Sequence, residues 1–235
     1  MKIAVLQTGG PPEDLRAYGT YGEMFAGVLQ PFISGANFIT IETEQGQSAP
    51  MDVDGVVITG SASGVYEPHS WIAPLKEAVR DYGVSGVPVI GICFGHQIIA
   101  EAYGGRVRRS GRGWGVGMHD YEASALGQKI LQAEGLSCVV SHRDQVEDMP
   151  QNAQCLAGSE FCPHGALYYP KENALSFQMH PEMSHEFATA LLLHRQDDIE
   201  PQRVEDGLAS LHGASGRDII LMAMAKHLSG RLNKE

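Results

Sequence analysis

The run Gly91-Ile92-Cys93-Phe94-Gly95-His96-Gln97 carries the residue types most able to do chemistry in this chain. An apolar stretch, Val87-Pro88-Val89-Ile90, leads into it, and Ile98-Ile99-Ala100-Glu101-Ala102-Tyr103 reads as a helix leading out. A cysteine at a strand-to-helix turn, with glycine two residues before and two after, has the layout of a nucleophile elbow. The N-terminus of the following helix would favour the thiolate, the form that attacks. The competing reading is an inert, small buried residue, as free cysteines often are. A base elsewhere in the chain decides between the two.

That base is His180. In Ala174-Leu175-Ser176-Phe177-Gln178-Met179-His180-Pro181-Glu182, the apolar Leu175, Phe177 and Met179 alternate with polar residues, the pattern of a half-buried strand. Two residues on, Glu182 faces the same side as His180 if the backbone is extended, and Pro181 favours that conformation at His180. A carboxylate then accepts a hydrogen bond from one imidazole nitrogen while the other faces a thiol. Alone, His180 would read as an ordinary satisfied histidine. With Cys93 at the end of a second strand, it reads as a general base.

These motifs resemble those of the class I, triad-type glutamine amidotransferases. Residues 91–97 match the G-x-C-x-G-x-Q elbow, and His180-Pro181-Glu182 matches H-P-E. Val56-Val57-Ile58-Thr59-Gly60-Ser61 resembles the strand and glycine loop of that family, and Ser141-His142-Arg143-Asp144-Gln145-Val146 its S-H-x-D-x-V segment. The four features occur in the family's order over roughly residues 1 to 195. The resemblance implies a glutaminase-type hydrolase acting through a glutamyl thioester on Cys93, with His180 moving the proton and Glu182 orienting the ring. It implies oxyanion donors at Phe94 and at Gly60 or Ser61, and substrate contacts from Gln97, Ser141, His142 and Asp144. The loop Thr59-Gly60-Ser61-Ala62-Ser63-Gly64-Val65-Tyr66-Glu67 departs from the Gly-Gly or Gly-Pro pair of many members, so the choice between Gly60 and Ser61 stays open. Two versions of the function follow. One is a γ-glutamyl hydrolase or peptidase that needs no partner. The other is a subunit passing ammonia to a separate synthetase chain, as the likeness to GMP synthase amidotransferase domains implies. A non-catalytic homologue is disfavoured by the presence of all three chemical types.

The elements that must position these residues are legible in outline. Strand-like runs lie near 2–7, 37–42, 54–59, 87–92, 137–141 and 174–179, with helix-like segments near 20–32, 70–82, 95–103 and 124–134. Such alternation predicts an α/β fold with a mostly parallel central sheet flanked by helices, a flavodoxin-like three-layer arrangement. Residues 106 to 122 read as irregular or antiparallel additions, and residues 145 to 169 as a hairpin region. Ser184 is a candidate N-cap for a helix running to Leu193. Two further helices, Pro201–Leu208 and Asp218–Leu228, suggest that 196–235 is a C-terminal helical extension packed on a single domain spanning 1–235.

Bulk properties narrow the function classes. The 235 residues carry a formal charge of −11, which disfavours nonspecific nucleic-acid binding. No run of about eighteen apolar residues is present, so no membrane span is expected. The first residues read as a strand without signal-peptide features. The four cysteines form no C-x-x-C pair and the histidines no metal signature, so neither cofactor nor metal is expected, and a reducing cytoplasm fits a free Cys93. The chain contains no phosphate loop of the G-x-x-x-x-G-K type, so any synthetase using the ammonia is expected on another chain. Whether copies of the chain assemble into a homo-oligomer is left open. One basic cluster, Arg106 to Trp114, reads either as a solvated turn or as an anion contact.

Overall fold

In the computed structural model, residues 1–232 are described, so the last three residues of the expected C-terminal extension lie outside it. The first half of the chain alternates strand and helix. It runs β1 (Lys2–Gln7), α1 (Tyr21–Leu29), β2 (Asn37–Glu42), β3 (Gly55–Ile58), α2 (Ile72–Ser85), β4 (Val89–Ile92) and α3 (Phe94–Ala102). The second half is richer in strands: β5 (Arg106–Arg109), β6 (Gly115–Ala123), α4 (Ala125–Leu131), β7 (Gly135–His142), β8 (Asp144–Asp148), β9 (Gln154–Gly158), β10 (Ala166–Tyr169) and β11 (Ala174–Phe177). Three helices follow, α5 (His185–His194), α6 (Pro201–Ser210) and α7 (Arg217–Leu228).

Nine strands form one sheet in the order β2-β1-β3-β4-β11-β10-β9-β6-β7. The first five are mutually parallel. The remaining pairings are antiparallel and extend the sheet beyond β11. β5 and β8 pair separately as a two-stranded antiparallel ribbon.

Strand periodicity explains the layering. In β1, Ile3 and Val5 face the core that holds Phe25 and Leu29 of α1 and Ile220 and Met224 of α7. Ala4 and Leu6 face the opposite core, with Leu75 and Val79 of α2 and Ile98 and Ile99 of α3. A sheet covered on both faces selects apolar residues at successive positions, and β1, β3, β4 and β11 are almost wholly buried.

Local chemistry fixes the helix starts. Thr20 and Glu23 form a reciprocal capping box at α1, and the Ser184 hydroxyl accepts the Phe187 N–H at α5. The C-terminal helices pack on the sheet. Ser210 Oγ of α6 accepts the Met118 N–H at 2.8 Å, and Arg203 donates to the carbonyls of Trp114 at 3.1 Å and Arg112 at 2.7 Å. These bonds hold the 112–114 turn against the body.

Candidate active site

Cys93 sits between β4 and α3, at the C-terminal edge of the parallel strands. Its backbone has φ 53° and ψ −102°, a conformation a residue with a Cβ rarely adopts. Holding it there costs on the order of 1–3 kcal/mol, which the surrounding structure must offset. Two close approaches enforce the turn. A Cβ on Gly91 would run into the Gly95 carbonyl, and a Cβ on Gly95 would run into the Ile58 carbonyl of β3. The glycines therefore let α3 start directly against the sheet. The Cys93 N–H is held by Phe177 O of β11 at 2.8 Å, so the strand that leads to His180 also ties the elbow.

His180 lies three residues beyond β11. Its Nδ1 is 2.7 Å from Glu182 Oε1, and both side chains are almost fully buried. The pairing differs from the sequence expectation in one respect. Pro181 and Glu182 form a turn, with the Met183 N–H reaching back to His180 O at 3.4 Å, instead of an extended segment. A short turn aims the carboxylate at the ring as an extended pair would, and lets α5 begin at His185 without a connecting loop.

The other ring nitrogen, Nε2, is buried without a hydrogen-bond acceptor. A Cβ placed on Gly60 would lie 3.1 Å from His180 Cε1 and 3.7 Å from Cys93 Cβ, so imidazole and thiol flank the same glycine. Burial works against a charged His180. The Glu182 carboxylate and the adjacent Cys93 outweigh it, and the imidazole pKa is raised. By contrast, burial pushes the thiols of Cys138 and Cys162 up to about 12, which keeps them inert near neutrality.

A cavity of about 300 Å³ opens in front of Cys93. Its lining includes Ser61, Gln97, Ser141, His142 and Asp144 from the residues singled out in the sequence. Phe94, as the first residue of α3, has an N–H with no acceptor one turn earlier in the helix. Gln97 and His142 are more committed than free substrate contacts would be. Gln97 Nε2 donates to Asp144 O at 2.9 Å and Gln178 Oε1 at 3.1 Å, and His142 Nδ1 donates to Asp144 O at 3.1 Å. Gln97 therefore ties the start of β8 to α3, and His142 ties it to the end of β7. The Asp144 carboxylate accepts the Tyr66 hydroxyl at 2.8 Å, which closes the 61–67 loop onto the same place.

Several wall residues carried no distinct signal in the sequence. Arg195 caps α5, donates to Ser141 Oγ at 2.9 Å and stacks 5.7 Å over the Trp114 ring. Asp198 and Arg143 also line the cavity; so do Tyr66 and Glu67, from the loop that the sequence marks by its departure from the family pattern. The basic cluster divides. Arg106, Arg108 and Arg112 make surface ion pairs, whereas Arg109 and Trp114 reach the cavity. Among the described residues there is no group of three or more potential ligands able to hold a metal ion, and no helix long and apolar enough to cross a membrane.

Comparison with known proteins agrees with this geometry. Over 96% of the chain, the sequence is 27% identical to a glutamine amidotransferase-like protein of Schizosaccharomyces pombe, 98% of which is covered. It is 28% identical to γ-glutamyl peptidase 2 of Arabidopsis thaliana, over 80% of the chain and 82% of that protein. The fold superposes on a glutamine amidotransferase from Thermotoga maritima with a TM-score of 0.75, covering 100% of this chain and 99% of the other at 19% identity. The family model for glutamine amidotransferase class I matches residues 32–196, which include the elbow, the His180–Glu182 pair and most of the cavity wall, and the chain belongs to that family.

Proposed function

We propose that the chain hydrolyses the side-chain amide of glutamine, or a related γ-glutamyl amide, through a thioester on Cys93. The observation that carries this reading is the placement of a buried, carboxylate-backed imidazole beside a cysteine held in a strained elbow at the floor of a cavity. The Cys93 sulfur attacks the γ-carbonyl carbon, and the charge developing on oxygen is stabilised by fixed donors. Phe94 N–H supplies one donor and the Gly60–Ser61 backbone another. His180 Nε2 takes the Cys93 thiol proton as the sulfur attacks, and as the C–N bond breaks it passes that proton to the departing nitrogen. Glu182 keeps the ring oriented and stabilises its charged form. Water, activated by the now neutral imidazole, then cleaves the thioester to give glutamate and the free thiol.

Gln97, Ser141, His142 and Asp144 shape the wall against which the glutamyl part lies. We read the first and third mainly as positioning residues, because their polar atoms hold the β8 segment. The 59–67 loop, which departs from the Gly-Gly or Gly-Pro pair of many members, and the helices beyond residue 196, outside the family match, favour the partner-independent version of the activity over delivery of ammonia to a separate synthetase.

The test is to incubate the purified chain alone with L-glutamine and a panel of γ-glutamyl dipeptides, measuring glutamate release beside Cys93→Ala. Release that depends on Cys93 supports a self-sufficient hydrolase. Retained turnover in Cys93→Ala would sink the mechanism. Silence toward every substrate, with Cys93 still rapidly alkylated by iodoacetamide, would favour the synthetase-dependent version.

A further inference from the structure

The wall in front of Cys93 carries three arginines, Arg109, Arg143 and Arg195. Their neighbours off the wall all have acids. Arg106 lies 3.2 Å from Glu147 and 2.7 Å from Asp148, Arg108 lies 3.1 Å from Glu147, and Arg112 lies 3.7 Å from Glu160. Among the described residues, no wall arginine has a carboxylate within 4.0 Å. Arg195 is nonetheless engaged, by Ser141 Oγ and the Trp114 ring. Arg109 and Arg143 are not, and the Nε of Arg143 is buried with no acceptor at all.

The acids on the same wall do not make up the difference. Glu67 Oε2 is 2.9 Å from His69 Nε2, Asp144 Oδ2 takes the Tyr66 hydroxyl, and Asp198, the third wall acid, makes no ion pair with any described arginine. A buried guanidinium N–H without an acceptor is costly, and the planar fork of arginine matches carboxylates and phosphates bidentately; of the two, a carboxylate is what the amino acid leaving a γ-glutamyl peptide carries. Arg109 ends β5, Arg143 joins β7 to β8, and the Ser110 N–H binds Arg143 O at 2.9 Å. Both residues line the cavity, and the segments that carry them are tied together at the end of the β5–β8 ribbon.

We propose that Arg109 and Arg143 form a subsite for a carboxylate on the departing amine. The preferred substrates are then γ-glutamyl peptides, in which an α-amino acid or peptide leaves, over glutamine, from which ammonia leaves. The proposal rests on the thioester reading above. In that step the Cys93 sulfur–carbon bond forms as the γ-amide C–N bond breaks. The nitrogen takes its proton from His180 and departs as a free amino acid, its carboxylate still on the arginines. Water then hydrolyses the thioester.

Two substrates that differ only in that carboxylate provide the test: γ-glutamylglycine and γ-glutamylglycinamide. The wild-type chain is expected to favour the former in kcat/KM by about tenfold or more, the scale of a charge-assisted bidentate contact. In Arg109→Gln and Arg143→Gln, each checked for folding by circular dichroism, that ratio is expected to fall toward one. A ratio near one in the wild-type chain overturns the proposal without requiring any variant to fold. It is also overturned if both variants lose activity on the two substrates and on glutamine equally, since the arginines would then be holding the glutamyl part. Absence of Cys93-dependent release from all three substrates would bring down the hydrolase reading itself, a result distinct from a ratio of one.

Discussion

At the scale of single residues, the site is dominated by one strained position and one close contact. Cys93 holds φ 53° although it carries a Cβ, so replacing it tests the strain directly. Cys93→Gly removes the strain but loosens the unfolded chain, whereas Cys93→Ala keeps the strain and removes only sulfur. The glycine variant is expected to be more stable than the alanine variant by about 1 kcal/mol, measured by urea denaturation, with both inactive. A glycine variant less stable than the alanine variant by about 1 kcal/mol, the entropic cost alone, would show that the elbow stores no strain. Gly60 tests the contact. A methyl group there sits 3.1 Å from His180 Cε1, tight enough that the ring must give way by a few tenths of an ångström. Gly60→Ala is expected to lower kcat by about tenfold with little loss of stability, because small misplacements at the reacting atoms are costly. A kcat close to wild type would mean that the ring has room to spare.

At the scale of elements, the elbow works because α3 begins against β3 without a spacer. Gly95→Ala places a carbon on the Ile58 carbonyl, a backbone atom that cannot swing aside. We expect a destabilisation of about 2 kcal/mol or more, read from the denaturation midpoint, together with loss of activity. This part of the site was legible in the sequence, since flanking glycines, an apolar strand and a helix are local signals. So were β1 and β2, whose bounds match the strand-like runs at 2–7 and 37–42. What was not legible depends on long-range pairing. β6 lies between β7 and β9, and β10 separates β9 from β11, an order that no local pattern in residues 106–169 specifies. The turn at Pro181–Glu182 was hidden for a related reason: proline fits both an extended chain and a turn, and the packing of α5 decides. Nor can a run of arginines tell which members find acids. That distinction between Arg106 or Arg108 and Arg109 exists only once β5 pairs with β8.

At the scale of the whole molecule, three deeply buried neutral histidines lead the response to acid. His96 accepts the company of Ser176 Oγ at 2.8 Å, His142 donates to Asp144 O, and His227 donates to Asn173 O at 3.0 Å. Burial lowers their pKa values to about 3, 3 and 4, respectively. Each is neutral in the folded chain at a pH where the unfolded chain already protonates it. Below about 6.5, the unfolded value, the unfolded state binds more protons, so stability falls as pH falls toward the folded values. His180 acts in the opposite sense. Its raised folded pKa gives stability that is fully present below about 6.5 and is lost as pH rises through the folded value. Stability is therefore expected to peak near neutrality, with the acid limb steeper because these three groups, joined by His119 and His164, whose pKa values burial also lowers, act there, while His180 acts only above about 6.5. Each fully uncompensated histidine adds a slope of about 1.4 kcal/mol per pH unit between roughly pH 6 and 4.5. His227 offers the cleanest check, since it sits on the buried side of α7, donates to Asn173 O and lies away from the cavity. Glutamine at that position can still donate to the carbonyl but cannot be protonated. His227→Gln is expected to flatten the acid limb by about one proton's worth of slope, measured as unfolding free energy against pH, while leaving the alkaline limb unchanged. An unaltered acid slope would mean that His227 is already charged in the folded chain, and that the carbonyl and its surroundings tolerate the imidazolium.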